Sequence, residues 1–172
     1  MDNVRDMLRF KEDVSSGVGK VVEERIKFRA IVTAVLYDEN GKEKDRQVTE
    51  NTLTQLGEAQ IADALSDKGV ATPDHMAIGS GTPASKTTAS TTLQTELARV
   101  DSVPTQGTGA DDNDVVWVGT FAAGIGTGNV YEAGLFNDGS AGTMFSYTDW
   151  GLITKAALDS LVITWRLTCG TP

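Results

Sequence analysis

The stretch Val130–Gly139 constrains the fold more than any other, because it has the pattern of a strand that runs into a tight turn. Successive side chains of a strand point to opposite faces, and here both faces carry large apolar groups. We therefore expect a strand that is covered on both sides. One face holds Tyr131, Ala133 and Leu135, and the other holds Val130, Glu132, Gly134 and Phe136.

Two residues inside this stretch need a structural explanation. Glu132 requires a partner, because burying a carboxylate without one is costly. Arg99 and backbone N–H groups are both open as that partner. Gly134 in a strand interior predicts a bulge or a close approach of another segment. The following Asn137-Asp138-Gly139 tolerates positive φ and ends the strand.

The rest of the body repeats the strand pattern. Residues 26–37 alternate most clearly, and Asn40-Gly41 after them predicts a hairpin. We expect six to eight strands separated by turn signals, which indicates a mainly β fold, an antiparallel β-sandwich. The other predicted strands are residues 44–50, 75–78, the end of 93–100, 115–121, 143–150 and 161–167.

One short helix is predicted in the body, over residues 51–66. Apolar residues recur there at helical spacing and would form a buried stripe. The stripe consists of Leu53, Leu56, Ile61, Ala64 and Leu65.

Residues 1–25 are predicted to be a separate N-terminal arm, helical over 2–13 and helical or extended over 18–24, ahead of the body at 26–172. The arm has too few apolar groups to fold alone, so we expect it to dock on a neighbouring surface. The residues assigned to this contact are Val4, Leu8, Phe10, Val18, Val21 and Val22.

Charge narrows the class of partner. The net charge of −9 argues against nucleic acid and against an anionic membrane surface. Residues 1–27 hold six basic and six acidic side chains, so the whole negative charge lies in residues 28–172. The single cysteine excludes an intramolecular disulfide. No membrane span or signal-peptide core is recognised, so we expect a soluble, unprocessed chain.

The sequence contains only weak matches to motifs for nucleotide binding, metal binding or catalysis. The glycine-rich segments at 79–82 and 124–128 lack the helix and lysine of a phosphate loop. His75 is the only histidine, which leaves a catalytic triad or a histidine-rich metal site incomplete. Cys169 has no basic neighbour in sequence and is interpreted as a passive thiol. We therefore predict no catalytic, cofactor-binding or metal-binding residues.

Three other interpretations stay open at this point. The acidic run Asp111–Asp114 could hold a calcium ion or be a solvated loop. A carboxylate pair drawn from Glu96, Asp101 and Glu132 could serve glycoside hydrolysis if two of them converged. The three tryptophans could form a sugar-binding platform, although their alternating strands favour core packing. They are Trp117, Trp150 and Trp165.

The order of several short motifs resembles a widespread group of small tailed-bacteriophage virion proteins, often labelled tail-fibre or tail-collar-like. The resemblance covers about residues 26–168. Its motifs are Asn51-Thr52-Leu53 with Gly57, Met76-Ala77-Ile78-Gly79-Ser80-Gly81-Thr82, Thr92-Leu93-Gln94-Thr95-Glu96-Leu97-Ala98-Arg99, Glu132-Ala133-Gly134-Leu135-Phe136-Asn137 and Leu161-Val162-Ile163-Thr164-Trp165. Gly79, Gly81, Glu96, Arg99, Glu132 and Gly134 are its structural motif residues.

The resemblance implies a non-enzymatic β-sandwich module of the virion, made in the host cytoplasm. Its partners would be capsid, tail or fibre subunits and copies of itself, with a trimer as one option. The chain departs from the group in its arm and in lacking a repetitive fibre after residue 168, so a small attached module is expected rather than a full fibre. The alternatives are a capsid decoration protein and, from another class, a host-glycan-binding module.

Overall fold

A computed structural model describes residues 27–82 and 87–170. The arm residues Val4, Leu8, Phe10, Val18, Val21 and Val22 lie outside the described part. One helix and ten strands occur within it, together with a 3-10 turn at Gly109–Asp111. They are β1 (Lys27–Tyr37), β2 (Glu43–Glu50), β3 (Thr52–Leu53), α1 (Gln55–Leu65), β4 (His75–Gly79), β5 (Glu96–Asp101), β6 (Thr105–Gln106), β7 (Asp114–Phe121), β8 (Gly128–Phe136), β9 (Met144–Lys155) and β10 (Ser160–Gly170).

The strands form two five-stranded antiparallel sheets. The first sheet has the order β2-β1-β10-β7-β6, and the second has the order β3-β9-β8-β4-β5. The predicted antiparallel β-sandwich is therefore confirmed. The eight longer strands agree with the predicted six to eight, whereas β3 and β6 are two-residue strands without a sequence signal of their own.

The hairpin between β1 and β2 shows how local sequence fixes an element. The side chain of Asp38 accepts hydrogen bonds from the backbone N–H groups of Asn40 and Lys42, both at 2.9 Å. Gly41 adopts φ +78°, a conformation that glycine enters without steric cost. The alternation of β1 then places Val32, Ala34 and Leu36 in the core.

The core lies between the two sheets and includes all three tryptophans. Trp117, Trp150 and Trp165 are 3%, 7% and 1% exposed. The indole N–H of Trp117 donates to the carbonyl of Pro73 at 2.5 Å. The predicted packing role is confirmed, and an exposed sugar-binding platform built from these tryptophans is excluded.

The central strand β8 is buried from Val130 to Phe136 except for half-buried Tyr131, so its predicted cover on both faces is confirmed. The predicted division of faces is wrong at Val130. An irregularity in the pairing with β9 falls between Val130 and Glu132, and Val130 joins Ala133 and Leu135 in the main core. A bulge adds a residue without a paired partner and so shifts the alternation on one side of it.

The helix prediction needs two corrections. Thr54 is extended and its hydroxyl accepts from the N–H of Gly57 at 2.9 Å, so α1 starts at Gln55 and the preceding residues pair as β3. The predicted apolar stripe is also wrong in part, because the helix buries Gly57 and Gln60 whereas Leu65 is 76% exposed. Within the described residues no helix is long and apolar enough to cross a membrane.

Candidate functional site

The buried carboxylate of Glu132 is bound by backbone N–H groups. Its Oε1 accepts from Gly81 at 3.1 Å, from Gln94 at 2.9 Å and from Thr95 at 3.0 Å, and Oε2 accepts a second contact from Gln94 at 3.1 Å. Glu132 is fully buried on the outer side of the second sheet. Hydrogen bonds to an ionised acceptor are the stronger kind. Of the two partners open from the sequence, the backbone is the one observed.

Two glycines make room for this carboxylate. A Cβ at Gly81 would lie 2.4 Å from Oε1 of Glu132, and a Cβ at Gly79 would lie 2.6 Å from the same atom. The backbone of Ser80 between them donates to the carbonyl of Thr95 at 2.8 Å. The motif glycines are therefore required for close approach. They let the two ends of the segment from residue 80 to residue 95 meet at one side chain.

Arg99 forms a second anchor beside the first. It makes a bidentate ion pair with Glu96, at 3.0 Å and 2.7 Å. Its Nη1 donates to the carbonyls of Asp138 and Ala141 at 2.6 Å and 2.7 Å, and its guanidinium lies 3.8 Å from the ring centroid of Phe136. Arg99 thus fixes the turn after β8 to the edge strand β5. Arg99, which the sequence left open as a partner of Glu132, pairs with Glu96.

Gly134 lies under a small apolar cluster on the outer face of the second sheet. A Cβ there would be 3.0 Å from the Phe136 ring and 3.3 Å from Leu93. Leu93 belongs to the segment that Glu132 holds and packs into this cluster with Ala77, Phe136, Met144 and Tyr147. Burial, with the carboxylates of Asp149 and Glu132, raises the pKa of Tyr147. The segment before β5 is therefore the cover of this face.

A third anchor was not predicted as a site, although its residues belong to the first motif of the resemblance. The side chain of Asn51 donates to the hydroxyl of Ser146, and the hydroxyl of Thr54 donates to the carbonyl of Met144 at 2.5 Å. A Cβ at Gly57 would lie 2.1 Å from the carbonyl oxygen of Phe145. These contacts attach the crossover between the sheets, and the start of α1, to β9.

Sequence reasoning also missed a buried lysine. Lys155 is 1% exposed and its ammonium donates to the carbonyls of Ala122 at 2.9 Å and Asp159 at 2.7 Å. Burial lowers the pKa of Lys155. The Asp159 carboxylate accepts from Lys44 at 2.6 Å and from the N–H of Ala156 at 2.9 Å, which lower its pKa. No sequence signal separates this lysine from an exposed one in a turn.

The remaining candidates do not converge. Asp114 accepts from Arg166 at 2.5 Å and from Thr168 at 2.6 Å, so it is already engaged within the run Asp111–Asp114. Across residues 27–82 and 87–170, no group of three or more His, Cys, Asp or Glu side chains is placed to hold a metal ion.

The three carboxylates considered for glycoside hydrolysis each have a different partner. Asp101 lies 3.2 Å from Nε2 of His75, Glu96 pairs with Arg99 and Glu132 binds backbone groups. Nδ1 of His75 lies 2.6 Å from Oδ1 of Asp74, so the imidazole of this histidine contacts two carboxylates. Burial, together with the Asp114 carboxylate, raises the pKa of Cys169, which disfavours the nucleophilic thiolate.

The chain matches no protein-family model, no curated protein and no solved structure. The geometry of the anchors is therefore the basis on which a function can be inferred. Each anchor uses hydrogen bonds to connect segments that are distant in sequence. Such an arrangement holds loops and sheet edges in place.

Proposed function

We propose that the chain is a non-enzymatic structural protein of a tailed-bacteriophage virion. Its β-sandwich body would attach to the tail, collar, baseplate or fibre through the arm 1–25. One observation carries this proposal. The motif residues of the resemblance, Gly79, Gly81, Arg99, Glu132 and Gly134, gather around one loop and one sheet face. They shape the body, as residues shared by a structural module are expected to do.

The use of polar groups supports the same proposal. Glu132 and Arg99 direct their hydrogen bonds to backbone groups and to neighbouring side chains. A catalytic acid, base or nucleophile must instead be presented to a substrate. A host-glycan-binding module loses its candidate platform with the burial of the tryptophans.

The copy number in purified particles of the encoding virus tests the proposal. We expect a handful of copies relative to the major capsid protein, in multiples of three or six. A ratio near one, or one per capsid trimer, would identify a decoration protein of the head shell instead. Absence from washed particles would refute a virion role altogether. Quantitative mass spectrometry against labelled peptides of both proteins measures this ratio.

Deletion of residues 1–25 tests the role of the arm. The anchors described above lie in residues 27–82 and 87–170, so the truncated body should fold, remain monomeric and fail to assemble. Light scattering and incorporation into particles are the measurements. A truncated body that still assembles normally would show that the arm does not make the contact.

A further inference from the structure

The turn between β1 and β2 contains a pair of residues with chemistry of its own. The chain has six asparagines, and Asn40 is the one that a glycine follows. Asparagine is among the thermolabile residues of proteins. Its side-chain amide can be attacked by the backbone nitrogen of the next residue, and a glycine there has no Cβ to obstruct the approach. Asn40 and Gly41 are therefore the pair in this chain best suited to intramolecular cyclisation.

The structure leaves the reacting groups of this pair accessible. Asn40 is exposed at the tip of the hairpin, and its side-chain amide forms no hydrogen bond with any of the described residues. The space beside Gly41 is open, since a Cβ built there would have no neighbour within 4 Å. The backbone nitrogen of Gly41 can therefore reach the side-chain carbon of Asn40 without any rearrangement of the two sheets.

The other asparagines of the described part are poorly placed for the same reaction. In each case the next residue has a side chain, and the side-chain amide is hydrogen-bonded to another part of the fold. The bonds join Asn51 to the hydroxyl of Ser146, Asn113 to the carbonyl of Cys169 at 2.8 Å, Asn129 to the hydroxyl of Thr154 at 3.4 Å and Asn137 to the N–H of Thr143 at 2.7 Å.

The one Asp-Gly pair of the chain, Asp138-Gly139, is protected in a different way. The Asp138 carboxylate accepts from the N–H groups of Ser140 at 2.9 Å and Ala141 at 3.0 Å, and these bonds lower its pKa. An ionised carboxylate resists attack by a nucleophile, because it has no neutral group to expel. Cyclisation is therefore disfavoured at this second turn.

Asp38 holds the turn at Asn40 and Gly41 closed. Its carbonyl accepts the N–H of Gly41 at 3.0 Å, and its carboxylate accepts the N–H groups of Asn40 and Lys42, both at 2.9 Å. The nitrogen of Gly41 can attack only after its own bond to Asp38 breaks, because it must lose its proton and turn towards the side chain. Local opening of the turn therefore sets the rate in the folded chain.

We propose that Asn40 is a site of spontaneous deamidation in the folded protein and that Asp38 controls its rate. The deprotonated nitrogen of Gly41 forms a bond to Cγ of Asn40, and the side-chain NH₂ group takes a proton from solvent and leaves as ammonia. Water then opens the cyclic imide at either carbonyl, which gives aspartate or isoaspartate. Both products add a negative charge beside Asp38 and Glu39, and isoaspartate also adds a methylene to the backbone of the turn.

Peptide mapping of the full chain after incubation at neutral pH and body temperature tests the site. We expect the peptide that contains Asn40 to show the replacement of NH₂ by OH at least about tenfold faster than any other asparagine peptide. Isoaspartate is measured by methylation with isoaspartyl methyltransferase and labelled S-adenosylmethionine. Faster conversion of another asparagine, or no conversion of Asn40, overturns the proposal. The reaction does not depend on the proposed virion role, so neither result bears on particle content.

Two variants test the control by Asp38. Asp38→Ala removes two acceptors of the closed turn and should deamidate about fivefold faster, because two exposed hydrogen bonds no longer oppose opening. Glu39→Ala, at an exposed residue whose side chain takes no part in these bonds, should react at the wild-type rate. Tryptophan fluorescence checks that both chains are folded. An unchanged rate in the folded Asp38→Ala chain overturns the control by Asp38.

Discussion

Replacing Glu132 with glutamine tests the anchor on which the outer cover depends. The substitution keeps the shape of the side chain, and an amide oxygen at the Oε1 position can still face the N–H groups of Gly81, Gln94 and Thr95. It removes the negative charge. It also brings an NH₂ donor against the N–H of Gln94, which now donates to Oε2 at 3.1 Å.

The expected loss follows from these contacts. A hydrogen bond to a charged group contributes about 1.5–3 kcal/mol and a neutral one about 0.5–1.5 kcal/mol. Three donors lose the charged acceptor, so Glu132→Gln should lower the free energy of unfolding by about 3 kcal/mol. With a urea dependence of about 2–3 kcal/mol/M, the midpoint should fall by about 1 M.

Urea unfolding followed by tryptophan fluorescence is the assay, since all three indoles are buried. The matched control is Glu39→Gln, an exposed residue of the first hairpin, which should change the free energy of unfolding by less than about 0.5 kcal/mol. A Glu132→Gln chain whose free energy of unfolding stays within about 0.5 kcal/mol of the wild-type value would refute the view that charge holds this loop.

Three further changes probe the other anchors. Arg99→Lys loses bidentate pairing and ring stacking, so it should cost about 1–2 kcal/mol of unfolding free energy, against less than about 0.5 for exposed Arg29→Lys. Gly81→Ala places a Cβ 2.4 Å from a carboxylate oxygen and should lower the thermal midpoint by several degrees, whereas Gly151→Ala, with its nearest contact at 3.8 Å, should not. Hydrogen bonds from its hydroxyl and guanidinium partners lower the pKa of Asp114, so its stabilisation is present above about pH 4 and is lost as pH falls further. Asp114→Asn should therefore flatten the acid limb of stability against pH; an unchanged limb would contradict this.

Much of the fold was accessible from sequence because strand alternation and turn chemistry act locally. The pattern of residues 26–37 and the Asn40-Gly41 turn predicted β1 and its hairpin with β2. The bulge in β8 was missed, since it depends on how the strand pairs with β9 rather than on its own residues. The continuation of β9 past Trp150 was missed for the same reason, because pairing with the start of β8 carries that strand on to Lys155.

The sequence predicted that Glu132 needs a partner, but it did not identify the groups that bind its carboxylate. A glutamate on a strand buried on both faces must have a partner. From the sequence alone, Arg99 and backbone N–H groups are equally suitable. The observed partners Gln94 and Thr95 are 38 and 37 residues away, so only the tertiary fold selects them. Burial of Lys155 is likewise set by carbonyls that converge from two loops.

The pairing of β1 with β10 has a mechanical consequence. Lys27 lies opposite Gly170 at one end of this ladder, and Tyr37 lies opposite Ser160 at the other. Tension applied through residues 27 and 170 would separate the pairs one after another, as a zipper opens. This separation requires little force. Tension between residue 27 and the loop before Ser160 would instead load every pair of the ladder at once, in shear. A body held by its arm and pulled from that far loop would therefore resist far greater force than the same body pulled by its two ends.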